Sequence, residues 1–582
     1  MLVTLDWVVI IVFFVLIISV GLSYAKRAGK NMDSFFLGGR NLPWYVAGIS
    51  MVATTFAADT PLAVTELVGK NGISGNWLWW NFLAGGMLTT FFFANLWRRA
   101  EVLTEVELIE LRYAGKPAAF LRGFKALYLG VFMNVLIIAW VNVALMALLQ
   151  VFFDMPQMEA LGYTALAMVF VAVYSSVSGL IGIAITDMIQ FVIAMVGCVI
   201  LAVLVVQSEQ IGGISGLKTQ LPDWSLSFFP EISNEKGGAG KSLVIGVGAF
   251  LAYTSVQWWA SWYPGAEPGG GGYVAQRMMS AKDEKHAIYA TLFFQIAHYC
   301  IRPWPWIIVG LCAIVLYPDL GEADKKLGFV MAMKDFLPAG LKGLLLIAFF
   351  AAYMSTISTQ LNWGASYVVN DFYHRFLDNT ATDKTLVRVA RITTVLLMFL
   401  GLAVSTQITS ISGVWAFIIE CGAGLGLVLI LRWYWWRINA WSEITATIAP
   451  FLAFAVTKFG MGMAFPESFF YTVGFTTVAW LVVTFFTEPT KDEKLTSFYL
   501  KVQPDGWWEP IKQRTNLAAK ESNLGGLFLC WISALIMTYS VLFCIGKLIF
   551  MEWNSALMWG AAVVLGFIGL QIGLGKSKVL RD

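Results

Sequence analysis

Four hydroxyls crowd into one apolar stretch. Residues 348–362 read A-F-F-A-A-Y-M-S-T-I-S-T-Q-L-N, so Ser355, Thr356, Ser358 and Thr359 fall within five positions. Spacings of one, three and four put them on adjoining faces of a helix, where they can turn toward a common partner. Hydroxyl and carbonyl oxygens are the ligands that a hard, weakly held cation such as Na⁺ takes. The competing use is structural, since Ser and Thr also bond back to carbonyls one turn earlier or join helices. An acid buried in the same environment would tip the balance toward a cation.

The environment is a membrane. The chain has 582 residues, 58% hydrophobic and 13% charged, with mean hydropathy +0.71. A soluble chain would carry about 25% charged residues, and each helical crossing needs about 20 apolar ones. The net charge of +3 gives no sign of a nucleic-acid partner. Cys198, Cys300, Cys312, Cys421, Cys530 and Cys544 lie in apolar segments without metal-type spacing and read as core thiols. The first 25 residues lack a basic leader and a small-residue cleavage site, so the run is expected to be retained as a first span.

Hydrophobic runs predict about fifteen spans. Among them are a second at 42–68, a fifth at 162–178, a sixth at 184–206, a seventh at 243–262 and a ninth at 340–370. Of the 39 Lys and Arg, 28 fall on one set of loops if the amino terminus is external, which predicts an internal carboxyl terminus. Two spans are interrupted. Asp59-Thr60-Pro61 breaks the second, and Tyr263 to Gly272, with two prolines and a glycine run, ends the seventh before a helical pattern resumes. Irregular backbone at membrane depth is tolerated only where protein buries it or it lines a cavity. Each break opens one half of the core, and such paired interruption points to the binding site of an inverted-repeat transporter.

The expected division is an amino-terminal peripheral helix and loop (1–41), two five-helix repeats (42–206 and 243–437) separated by an external loop (207–242), two peripheral helices (438–487), a cytoplasmic amphipathic linker (488–523) and two accessory helices (524–582). Residues 237–242 resemble the tail of a phosphate-binding loop, but Glu235 stands where its first glycine belongs and no strand precedes it, so the match is dismissed.

Ionisable groups inside spans are functional candidates by default. Here they are Asp59, Glu66, Asp187, Glu267, His298, Arg302 and Glu420. Asp187 is either a helix-start carboxylate or the negative charge completing a Na⁺ site with the hydroxyl cluster. Arg302 pairs with an acid such as Glu267, snorkels, or meets a solute. The tryptophans Trp258, Trp259 and Trp262 serve as an interfacial belt or as a solute-stacking wall.

Taken together, four stretches resemble the sodium:solute symporter family of bacterial proline, sialic acid and galactose transporters and sodium/glucose cotransporters. They are F-F-L-G-G-R-N-L-P-W (35–44), G-I-S-M-V-A-T-T-F-A (48–57), G-L-I-G-I-A-I-T-D-M-I-Q (179–190) and A-A-Y-M-S-T-I-S-T-Q-L-N (351–362). Residues 273–282 also fit the family's Q-R-x-x-x-A-K pattern. The resemblance implies an all-α polytopic membrane protein with a LeuT-type five-plus-five inverted repeat. It implies a main Na⁺ site at the carbonyls of Ala53, Phe56 and Ala352 and the hydroxyls of Ser355 and Thr356. A second Na⁺ would fall on Asp187, Ser355, Ser358 and Thr359, and solute contacts on Asp59, Thr60, Asn81, Trp262, Tyr299 and Arg302.

The expected function is therefore Na⁺-coupled import of a small polar solute, a sugar, amino acid or carboxylate, across the cell membrane. The rival readings are proton coupling through Asp187 or Asp59, a passive channel, and a membrane-embedded enzyme. Three histidines without ligand spacing and no nucleophile motif speak against the last.

Overall fold

The computed structural model describes residues 2–28, 32–232, 244–245, 247–322, 324–408, 411–463, 467–515, 523–577 and 579–580. The loop segment 237–242 lies outside them. Among the described residues the fold is helical apart from a short parallel pairing of Glu231–Ile232 with Val244–Ile245 and two isolated bridges, Leu42 with Ala281 and Trp435 with Trp507. Among the described residues ten helices are long and apolar enough to cross a membrane, and one bent pair makes an eleventh. The fifteen expected runs include segments that the structure shortens or interrupts, such as Leu425–Tyr434 and the stretch either side of the second break.

Ten elements matter for the site: α1 (Thr4–Ala28), α2 (Trp44–Thr54), α3 (Asp59–Asn71), α4 (Gly115–Phe153), α5 (Gln157–Val206), α6 (Gly272–Ser280), α7 (Glu284–Leu316), α8 (Leu341–Leu377), α9 (Leu524–Ile549) and α10 (Trp553–Ser577). The first break separates α2 from α3 with a bend of 58°. Thr60 precedes proline and Pro61 lacks an N–H, which disfavours a continuous helix through this point.

The range given for α5 holds two apolar helices, Gln157–Val173 and Leu180–Val206, where the fifth and sixth spans are expected, and they are two passes. Phe14 packs between Phe170 and Phe350, while Gly197 packs against Leu345. Residues 170 and 197 would lie about 40 Å apart on a straight helix at about 1.5 Å per residue, yet both reach the same end of α8. The run must double back between them.

The second break is built on glycine. Gly265, Gly269, Gly270 and Gly272 take φ of 82°, 79°, 79° and 53°, a region costing other residues about 1–2 kcal/mol. The chain leaves Ala260, accepts a hydrogen bond at its carbonyl from Gly424 N (2.9 Å), and re-enters helix at α6. Glu267 stays here, its Oε2 accepting from Gly265 N, and does not pair with Arg302.

Helix α8 is the axis of the bundle, buried along most of its length despite its hydroxyls. Asp6 of α1 holds its start, Oδ1 accepting from Gly340 N (2.7 Å) and Gly343 N (2.8 Å), a carboxylate placed where helix-terminal N–H groups and the macrodipole favour one. From α4, Asn142 Oδ1 accepts from Tyr353 Oη (2.8 Å) and Asn134 Nδ2 donates to Gln360 O (2.8 Å). These bonds fix both the height and the rotation of the hydroxyl face.

The hairpin α9–α10 is docked on the bundle rather than appended: Trp531 Nε1 donates to Ala84 O (2.9 Å) and Tyr539 Oη to Trp80 O (2.8 Å). The charged segment before it, expected as an amphipathic linker, contains the helix Asp492–Val502 and buries Trp508 beneath Arg112, whose guanidinium lies 4.8 Å from the ring. At the same end Glu443, fully buried, accepts from Tyr113 Oη (3.0 Å), Arg432 Nη1 (3.1 Å) and Lys125 Nζ.

Candidate functional site

The α8 hydroxyls meet the first break. Thr356 Oγ1 donates to Thr54 O at 3.0 Å, bridging the last turn of α2 to the middle of α8. Thr54 lies between the two α2-side carbonyls expected as Na⁺ ligands. Of these, Ala53 O accepts from Phe56 N at 3.0 Å, within the unwound turn. Ser355 Oγ turns the other way and donates to Asp187 Oδ1 at 2.6 Å. The donor set at this junction is hydroxyls, carbonyls and one carboxylate, with no nitrogen or sulfur ligand among the expected residues. That suits a hard cation held by oxygen.

Asp187, 1% exposed, is also bonded by Ser50 Oγ (2.9 Å) and lies 3.9 Å from Arg277 Nη2. The guanidinium fills the space where a second cation was expected. Arg277 Nη2 donates to Thr359 Oγ1 (2.9 Å) and Thr54 Oγ1 (3.4 Å), and Nε to Ser50 Oγ (3.3 Å). Asp187, Ser355 and Thr359 are thus gathered as the expected second set requires, but around an arginine. Ser358, expected with them, bonds its own helix, Oγ donating to Ser355 O at 3.0 Å. In the sequence Arg277 stands among loop charges, close to Lys282 and Lys285. The structure buries it completely on α6, and the Q-R of the family pattern was the available signal.

A cavity of about 110 Å³ adjoins this junction, and Thr54 and Thr356 both line it. Of the expected solute residues, Asp59, Thr60 and Arg302 face it. Asn81, Trp262 and Tyr299 do not. Asn81 Nδ2 bonds back to Trp77 O (3.0 Å) and Leu78 O (2.9 Å) of its own helix. Trp262 is packed against Gly422, its N–H 3.4 Å from that carbonyl. Tyr299 stacks behind Trp79 at 5.5 Å.

Arg302 is positioned by a local widening of α7. Its N–H reaches Ala297 O (3.1 Å), five residues back, so residues 297–301 make a π turn directly before Pro303. Such single-turn bulges redirect side chains at functional sites. The guanidinium donates through Nη1 to Val52 O (3.2 Å) and Thr55 Oγ1 (2.9 Å), and Nη2 lies 3.4 Å from His298 Nε2. It therefore reads the first break, not Glu267.

Residues that sequence reasoning missed complete the walls. Trp140 and Trp415 meet edge to face at 6.3 Å, and Tyr263 meets Trp415 at 6.0 Å. Gln360 also faces the space, one turn beyond Thr356 on the same face of α8. The remaining candidates are structural neighbours: Glu66 pairs with Lys70, and Glu420 accepts from Ser468 Oγ and pairs with Lys458.

Comparison with known proteins agrees with this architecture. A model of the sodium:solute symporter family matches residues 35–449. A sodium/glucose cotransporter of Vibrio parahaemolyticus is 25% identical over 509 residues, covering 81% of this chain and 89% of that protein. A sodium/sialic acid symporter of Proteus mirabilis is 23% identical, covering 81% and 92%. A sodium/proline symporter of Escherichia coli is 25% identical, covering 75% and 84%. Among solved structures, the substrate-bound outward-open state of a Na⁺-coupled sialic acid symporter superposes with TM-score 0.67 at 18% identity, covering 84% of this chain and 99% of that one. The shared fold is LeuT-like. With a family match over most of the chain and broken helices facing a hydroxyl-bearing one, the chain belongs to the sodium:solute symporter family, multi-pass membrane transporters that use Na⁺ as the coupling ion.

Proposed function

We propose that this protein imports a small polar organic solute together with one Na⁺, and that the ion sits between the α2–α3 break and α8. Its ligands are the carbonyls of Ala53, Phe56 and Ala352 and the hydroxyls of Ser355 and Thr356. The observation that carries the reading is the 3.0 Å contact of Thr356 Oγ1 with Thr54 O, on the wall of the cavity itself. Oxygen atoms from both halves of the molecule meet there, next to the space for the solute.

The coupling is linkage. Na⁺ at this junction ties α8 to α2 and favours the state in which the adjoining cavity is formed, so the solute binds more tightly with Na⁺ than without, and reciprocally. The two repeats, 42–206 and 243–437, then rock about the midplane site. The amino terminus is external and the carboxyl terminus cytoplasmic, following the Lys and Arg bias. Asp187 acts with Arg277 as its fixed counter-charge, which favours a single Na⁺ per cycle over two and leaves that acid no free role as proton carrier. At about 100 mV the field supplies roughly 2.3 kcal/mol per charge. That is enough for about 50-fold accumulation of a neutral solute carried with one Na⁺.

The test is uptake into proteoliposomes under an imposed Na⁺ gradient, with choline replacing Na⁺ at constant pH. Uphill accumulation only with Na⁺ is expected. Uptake that follows a pH gradient in choline would replace this reading with proton coupling, and flux that never exceeds equilibration would make the protein a channel.

A further inference from the structure

The chemistry of the cavity narrows the solute, granted that it is the solute site proposed above. Two charged side chains face it, Asp59 and Arg302, of opposite sign. They are 3% and 1% exposed. No ion pair joins them among the described residues; each keeps a buried atom without a hydrogen-bond partner, Asp59 Oδ1 and Arg302 Nε. The other arginine nitrogens are engaged with Val52, Thr55 and His298, so Nε is the donor without a protein partner. Gln360 lines the same space.

Buried charges cost several kcal/mol each unless paired, and buried polar atoms are hydrogen-bonded as a rule. The occupant matched to this lining brings an anionic group toward Arg302 and a cationic group toward Asp59. An anion alone or a cation alone leaves net charge in the cavity, and a sugar meets neither charge with one of its own. The Asp59 carboxylate accepts hydrogen bonds, which suits an ammonium carrying N–H better than a quaternary one. The cavity is of modest size, about 110 Å³, which favours a small solute. The edge-to-face walls of Trp140, Trp415 and Tyr263 suit a short apolar body between the two charges.

We propose that the solute is a small zwitterion with N–H on its cationic group, a small neutral amino acid, its carboxylate toward Arg302 and its ammonium toward Asp59.

Purified protein in proteoliposomes with an inward Na⁺ gradient is offered glycine, β-alanine, L-alanine, L-serine and L-proline, with D-glucose, L-lactate and glycine betaine as comparators. At least one of the amino acids is expected to be accumulated in a Na⁺-dependent manner and to be competed at least tenfold less well by each comparator. Asp59→Asn is expected to weaken that amino acid at least tenfold while raising the relative acceptance of L-lactate. Na⁺-induced thermal stabilisation shows whether the variant is folded. Na⁺-driven uptake of D-glucose, L-lactate or glycine betaine in preference to all five amino acids, or no binding of any of the five, overturns the assignment while leaving Na⁺ symport standing. Amino-acid uptake indifferent to Na⁺ instead overturns the coupling on which it rests.

Discussion

Replacing Thr356 by alanine separates the ion site from the fold. The substitution removes the hydroxyl that bridges to Thr54 O at 3.0 Å. As a hydrogen bond between neutral groups it contributes about 0.5–1.5 kcal/mol net, small beside the packing of a helix buried along most of its length. As one oxygen facing a cation it contributes more, about 1.5–3 kcal/mol by analogy with bonds to charged groups. At about 1.4 kcal/mol per tenfold, the apparent Na⁺ affinity falls roughly 10- to 150-fold. The Na⁺ concentration giving half-maximal solute uptake in proteoliposomes reads this directly, and membrane abundance and melting temperature in detergent check the fold. Thr356→Ser keeps the oxygen and loses only a methyl, so it should stay within a few-fold of the parent. A Na⁺ requirement unchanged within twofold in Thr356→Ala would show that the ion does not bind at this junction, whatever the effect on stability.

Three further outcomes follow from the geometry. Uptake as a function of Na⁺ should give a Hill coefficient near one, because Arg277 already occupies the space beside Asp187; a value approaching two would mean that the guanidinium withdraws to admit a second ion. Asp187→Asn and Arg277→Gln should each destabilise the protein by about 3–5 kcal/mol, as expected when one partner of a buried pair is removed, and the double variant by clearly less than their sum; additive losses in thermal unfolding would show that the two do not interact. Gly270→Ala should lower the melting temperature more than Gly39→Ala. Both glycines have positive φ, 79° and 73°, but a Cβ at 270 would come within 2.9 Å of Trp97 and Met278, whereas at 39 nothing lies within 4 Å; equal shifts would mean that only backbone strain matters.

Much of the site was legible because a membrane makes polar groups conspicuous. Four hydroxyls and an acid in apolar runs demand partners that lipid cannot supply, and Ser355 does find Asp187. Proline and glycine mark the two breaks through rules that act within a few residues, the lost N–H at Pro61 and the left-handed backbone of the 265–272 turn. Arg277 was not legible in its role. In the sequence it stands next to loop lysines, and only the return of α6 into the bundle brings it to Asp187 from the far side of the second break. The cavity walls were hidden for a different reason. In a chain with 25 tryptophans, nothing local distinguishes Trp140 and Trp415, which lie on separate elements and meet only in space. Asn81 and Trp262 show the converse: adjacent to the right segments, they are turned away by a bond to their own helix and by packing on Gly422.

The amino-acid order by itself determined that this is a membrane-embedded bundle with two interrupted helices and an oxygen-rich helix between them, because hydropathy, helix breaking and the cost of a lone polar group are properties of short stretches. Which side chains share one space was decided by the tertiary structure alone. Helix rotation and the doubling back of α5 set the direction of every side chain, and those depend on contacts between residues hundreds of positions apart.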